Sequence, residues 1–274
     1  MSCATQPPVH RPSSRPCRLP GPGAALALLF GAAAAYAADT LVTVPTRPGV
    51  TVSYWHMPRD QASATLVLLP GGAGSIGYRG GGQPQSGNFL VRSREQFAAQ
   101  GFNVAVVGRP SDVADLDTGF RAGAAHVEDL ARVIDDLRTR SATPIWLVGT
   151  SRGTVSAAAA AIALGPERIA GVALTSSITA YKLRGAVPTQ ALDRVRVPVL
   201  VLHHERDACA SCAPHEVPLI LKGLTQAPVK KLVWARDGGP PRGDPCEAFH
   251  WHGFIGMEAQ AVETITRFVR APAP

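Results

Sequence analysis

The sequence predicts an α/β fold: a mostly parallel sheet with helices on both faces and an N-terminal antiparallel hairpin. Three observations carry that prediction. From about residue 65 onward, short apolar runs alternate with helical stretches, the order that places crossover helices between parallel strands. The runs are continuously apolar, as in Thr65–Leu69 (TLVLL) and Asn103–Val107 (NVAVV), which suits strands covered on both faces. Ahead of them, two shorter runs flank the turn-rich stretch Pro45–Gly49, the pattern of a hairpin.

Taken in order, the hairpin strands fall at Leu41–Val44 and Val50–Trp55. Thr65–Leu69 runs into Pro70-Gly71-Gly72-Ala73-Gly74, and a glycine-rich, irregular stretch continues to Gly87. Phe89–Gln100 reads as a helix, followed by the strand NVAVV. Gly123–Thr139 sets Val127, Leu130, Val133, Ile134 and Leu137 at helical spacing, with charged residues on the opposite face. Ile145–Val148 is a strand and the alanine-rich Val155–Leu164 a buried helix. Strands follow at Ile169–Thr175, Val199–His203 and Val229–Trp234, with helices at Pro214–Gly223 and Met257–Val269. There is no internal repeat.

With 274 residues, 46% hydrophobic and 17% charged, the chain can bury a sizeable core, and a disordered protein is excluded. Arg11, Arg15 and Arg18 precede the apolar run Ala24–Ala35, and Ala35-Tyr36-Ala37 supplies small residues at a cleavage site. That is the layout of a secretory signal. Its apolar run is shorter than the roughly 20 residues a membrane-crossing helix needs. Residues 1–37 are therefore expected to be a signal peptide and 38–274 the working domain. The expected location is periplasmic or secreted, with no stable membrane association after cleavage. Removing three arginines and no acids lowers the net charge from +7 to +4. No basic run with interleaved aromatics remains, so nucleic acid is not an expected partner.

Cys3 and Cys17 leave with the signal, and Cys209, Cys212 and Cys246 remain. In an oxidising compartment Cys246 is expected in a disulfide with one of the other two, which leaves one thiol over. The Cys209-Ala-Ser-Cys212 spacing lacks the helix start of a redox motif and the further ligands of a zinc site. No metal is expected.

Gly149-Thr150-Ser151-Arg152-Gly153 is the strongest signal, because it joins a buried strand to a helix. A serine at the tip of so sharp a turn sits in a strained backbone, and side chains at Gly149 and Gly153 would strike neighbouring elements. Ser151 then lies where free helix N–H groups favour developing negative charge. A serine needs a base and an orienting acid to act as a nucleophile, and in this setting the chain order is Ser, acid, His. Asp207, four residues past the strand Val199–His203, is the preferred acid over Glu205. His252, followed by Gly-Phe before the last helix, is the preferred base over His250. His203 and His204 belong near the site, His126 is read as structural and His215 as solvent-facing. The two oxyanion donors expected are the N–H of Arg152 and that of Gly72, with Ala73 as the alternative.

These residues resemble the α/β-hydrolase superfamily over residues 41–270. More narrowly, they are similar to a group of small exported bacterial α/β-hydrolases. That resemblance rests on Pro70-Gly71-Gly72, residues 88–92 (NFLVR), residues 109–112 (RPSD), Gly149–Gly153, Asp207-Ala-Cys209, and Cys246 ahead of His252-Gly253-Phe254. The resemblance implies hydrolysis of an ester, thioester or amide of a small molecule through an acyl-enzyme, without cofactor. It also implies that Cys209 pairs with Cys246. Pro70 stands where the commoner form has a histidine, and Cys212 is additional to the pattern. An amidase or peptidase with the same triad is the alternative, and a non-catalytic ligand-binding homologue a more distant one. The segment Ser176–Arg196, where this fold places lids, is short, so the pocket is expected to be open or lightly covered. Arg92 and Arg109 are expected either to hold a substrate carboxylate or to form structural ion pairs.

Overall fold

The computed structural model describes residues 1–4, 6, 8, 38–78, 80 and 82–274. The signal-peptide expectation for residues 1–37 falls almost wholly outside the described residues. Eight strands form one sheet: β1 (Thr40–Pro45), β2 (Thr51–Met57), β3 (Thr65–Leu69), β4 (Asn103–Pro110), β5 (Ile145–Thr150), β6 (Gly171–Thr175), β7 (Val199–His204) and β8 (Lys230–Ala235). Their spatial order is β1-β2-β4-β3-β5-β6-β7-β8. β1 pairs antiparallel with β2, and β2 antiparallel with β4. Every other pairing is parallel.

The continuous apolar runs behave as their composition requires. All five residues of β3 are buried. Val67 and Leu69 pack into one core cluster, Leu66 and Leu68 into the other, because successive side chains leave a strand on opposite faces. The first cluster lies under α4 (Ala124–Arg140) and α5 (Arg152–Leu164). The second lies under α1 (Phe89–Arg92), α2 (Arg94–Ala99) and α7 (Glu258–Arg270). Each fully buried Leu, Val or Phe contributes about 1.5–3 kcal/mol relative to exposure.

Three helical details differ from the sequence reading. Phe89–Gln100 is two helices, because Ser93, at φ −96° and ψ 3°, closes the first and opens the second. A short helix α3 (Thr118–Arg121), capped by Asp117 accepting from the Phe120 N–H, follows β4. Four residues are too few to show a helical period. The Pro214–Gly223 helix begins as a 3₁₀ turn at Pro214–Glu216 and becomes α6 only at Pro218–Gly223. Pro218 has no N–H to continue a helix, and it sits where a first turn tolerates that loss.

Candidate active site

The candidate residues gather where β3, β5 and β7 end, the edge of an open parallel sheet that collects ligands. Ser151, between β5 and α5, holds φ 52° and ψ −127°, a conformation disfavoured for a residue with a Cβ. Neighbouring structure fixes it there: its N–H donates to Thr175 O, and its carbonyl accepts from the Thr154 N–H and hydroxyl. A Cβ on Gly149 would lie 2.5 Å from Gly153 O, and one on Gly153 would lie 1.9 Å from Leu69 O. Both glycines are therefore demanded by close backbone approach. Gly71 adds a third such position, since a Cβ there would meet the Ser151 Cβ at 2.7 Å. Gly72 has open space around its Cβ position but a φ of +57°.

Asp207 and His252, 45 residues apart, meet in the structure. His252 Nδ1 donates to Asp207 Oδ2 at 2.8 Å, while Asp207 Oδ1 accepts from the Cys209 N–H at 3.0 Å. With its hydrogen on Nδ1, the ring presents Nε2 as an acceptor. That atom is buried and has no hydrogen-bond partner among the described residues. His252 and Ser151 line the same cleft. His250 makes no bond to Asp207. Glu205 pairs with Arg236 at 2.7 Å near the surface.

Several contacts that sequence reasoning did not find hold the His252 loop. Ser176, at φ 44° directly after β6, donates from Oγ to His252 O at 2.7 Å. A Cβ on Gly253 would fall 1.9 Å from Ala248 O. Arg92 donates to Gly87 O and Gly253 O and pairs with Glu258 at 2.9 Å. Arg109 donates to Ala114 O. Both arginines thus serve loop structure, and neither lines the cleft; the substrate-carboxylate alternative has no support here.

Cys209 and Cys246 form a disulfide, 37 residues apart, joining the Asp207 loop to the segment that leads into His252. Closing a loop of that length stabilises by about 4 kcal/mol in the chain-entropy estimate. Cys246→Ser is expected to lower the melting temperature by roughly 10 °C, read by thermal unfolding with and without reductant.

Cys212 is free and buried. Burial pushes that thiol well up, and the Asp207 charge adds to the effect. Cys209, Cys212 and His252 bring potential ligand atoms within 4.8 Å of one another. The Cys209 sulfur is committed to the disulfide, however, which leaves two donors where a zinc site takes three or four.

His203 Nε2 lies 2.9 Å from Cys212 O, and since a carbonyl only accepts, that nitrogen carries the hydrogen. Burial lowers His203 to about 4 and His126 to about 3. Both are neutral when folded but protonate near 6.5 when unfolded. The unfolded chain therefore holds more protons between those limits, and stability falls as pH drops from about 6.5 toward 4. Each contributes a slope of about 1.4 kcal/mol per pH unit. Denaturant midpoints across that range are expected to show a shallower fall in His126→Gln, by about one histidine's share.

The cleft has a volume of about 790 Å³, within the range of small-molecule sites. Gly71, Gly72 and Ala73 line it, and Ile178 and Leu183, from the short segment after β6, contribute apolar lining. Asp115, Asp117 and Glu247 also line it, with Arg152 paired to Asp115 at 3.0 Å. Among the described residues no helix is long and apolar enough to cross a membrane.

No family model and no curated protein matches the chain. Solved structures do. A serine hydrolase without lid from Xanthomonas campestris is 18% identical, with 86% of this chain and 96% of that one covered at a TM-score of 0.59. An esterase from Pyrococcus furiosus is 14% identical, with 85% and 90% covered at 0.61. A dienelactone hydrolase from Anabaena variabilis is 17% identical, with 85% and 97% covered at 0.60. The chain has the α/β-hydrolase fold, as the sequence resemblance implied. At these identities it is the fold that is shared, and the chemistry rests on the site.

Proposed function

We propose that the chain is a serine hydrolase that cleaves an ester, or thioester, of a small acyl substrate through an acyl-enzyme on Ser151. One observation carries the reading: Asp207 holds His252 by Nδ1 and leaves its Nε2 without a partner among the described residues, and His252 and Ser151 line one cleft. Ser151 Oγ attacks the carbonyl carbon while His252 Nε2 takes its proton. Asp207 steadies the imidazolium that results. The N–H groups of Arg152 and Gly72 stabilise the oxyanion. The protonated His252 then gives its proton to the leaving group; water, deprotonated by His252, attacks the acyl carbon, and His252 returns that proton to Ser151 Oγ as the acid leaves. No step calls for a cofactor.

The neighbours' descriptions as esterase and serine hydrolase support this class of chemistry. The cleft volume and the short segment after β6 favour small acyl groups. Export, with residues 1–37 as its signal, is the location most compatible with the Cys209–Cys246 disulfide. A fluorophosphonate probe is expected to label Ser151, and p-nitrophenyl acetate to turn over faster than the matching anilide. Faster anilide cleavage would make it an amidase, and folded protein that neither labels nor turns over would remove the hydrolase reading.

A further inference from the structure

Arg121, at the end of α3, is only 2% exposed. Among the described residues, its guanidinium makes no hydrogen bond to a carboxylate. Nε donates to Leu116 O at 2.8 Å and Nη1 to Ser156 Oγ at 2.9 Å. Nη2 donates to Pro70 O at 3.0 Å and to Gly72 O at 3.3 Å. Burial, with the nearby Arg152 charge, lowers Arg121 to about 9, which leaves it cationic at neutral pH. Asp115 and Asp117 favour the charge through space, but a buried cation is costly unless its donors are satisfied, and here backbone carbonyls supply most of that satisfaction.

The choice of carbonyls matters. In a trans peptide the C=O and the following N–H lie in one plane and point in opposite directions. Pinning Pro70 O therefore directs the Gly71 N–H, and pinning Gly72 O directs the Ala73 N–H. The carbonyl between them, Gly71 O, accepts from the Gly74 N–H at 3.2 Å, which directs the Gly72 N–H. Three consecutive peptide planes beside Ser151 are thus fixed, two of them by Arg121. Glycine at 71 and 72 offers little resistance to rotation of these planes, so an external clamp is what holds them. Through Ser156 the same guanidinium is tied to α5, the helix that begins directly after Ser151. His126 braces Ser156 from the other side, with Nε2 2.9 Å from its Oγ.

We propose that Arg121 is a positioning residue for the oxyanion hole: by pinning Pro70 O and Gly72 O it holds the peptide planes on either side of the Gly72 N–H, and their distance from the nucleophile helix. The proposal rests on the serine-hydrolase reading above. A lysine at 121 reaches fewer of the four acceptors, and methionine, which has no donor, bonds to none. Arg121→Lys and Arg121→Met are expected to lower kcat for p-nitrophenyl acetate by about 10²-fold or more, the loss typical of a missing oxyanion donor. KM is expected to stay within about threefold, since the ground-state carbonyl draws little from those donors. Affinity for phenylboronic acid, which forms a tetrahedral adduct on the serine, is expected to fall in step with kcat. Amide hydrogen exchange at residues 71–74 is expected to accelerate.

If Arg121→Met does not fold, Arg121→Lys carries the test. Folded Arg121→Lys with unchanged kcat, boronate affinity and exchange would overturn the proposal. Should the wild type neither turn over esters nor bind boronate, the hydrolase reading fails, and with it the oxyanion role. Exchange at 71–74 would then report separately whether Arg121 holds that loop.

Discussion

Replacing Ser151 by alanine is expected to lower ester turnover by about 10⁶-fold while leaving the melting temperature within a few degrees of wild type. The side chain supplies the bond-forming oxygen, but the turn that strains it is held by backbone contacts alanine retains, namely the N–H to Thr175 O and the carbonyl to the Thr154 N–H. Asp207→Asn is expected to cost about 10⁴-fold. The Oδ2 atom accepts from His252 Nδ1 while Oδ1 accepts from the Cys209 N–H. An amide must keep its oxygen toward one of these and turn its NH₂ toward the other. If the NH₂ faces His252, the imidazole hydrogen moves to Nε2 and the base is lost. The double variant is expected to be no slower than Ser151→Ala alone, because residues acting as a unit do not add. Initial rates and thermal melts on the three variants check this. A double loss equal to the product of the single losses would place Ser151 and Asp207 on independent steps and break the triad.

The sheet was legible in the sequence because its central strands are covered on both faces, so that β3, β5 and β7 read as unbroken apolar runs. The glycine spacing around Ser151 was legible for a related reason: a requirement for close backbone approach is written as a missing side chain. Contacts between distant segments were not legible. Arg121 lies 51 residues from Pro70, and Ser176 lies 76 from His252. Neither residue type announces which carbonyl it will meet. The spacing of the three cysteines likewise left the pairing open until the resemblance suggested Cys209 with Cys246. The structure makes that bond and leaves Cys212 free and buried. Arg92 was ambiguous between substrate and scaffold because a guanidinium serves either. Its partners Gly87 O, Gly253 O and Glu258 are a matter of tertiary packing alone.

Gly153→Ala sets two physical effects against each other, and their signs differ. Gly153 lies in the first turn of α5, where helix propensity alone favours alanine by up to about 1 kcal/mol. Against that, the added Cβ would stand 1.9 Å from Leu69 O, 2.8 Å from Leu69 C and 3.0 Å from Pro70 O, well inside a carbon contact of about 3.5 Å. Relief would require moving α5 away from the end of β3. That strand is paired on both sides, to β4 and to β5, and the helix start is tied to β6 through Ser151 and Thr175. The steric cost therefore exceeds the propensity gain, on the order of 4–5 kcal/mol or more, which is comparable with the whole stability of a typical domain. Gly153→Ala is expected to yield little soluble folded protein. Gly72→Ala, whose Cβ has open space and whose penalty is only the φ of +57°, is expected to fold with a loss of about 1–2 kcal/mol. Soluble yield and melting temperature of the two variants decide the matter: a Gly153→Ala protein as stable as wild type would mean that α5 and β3 do not approach so closely, and the strained turn that presents Ser151 would lose its structural basis.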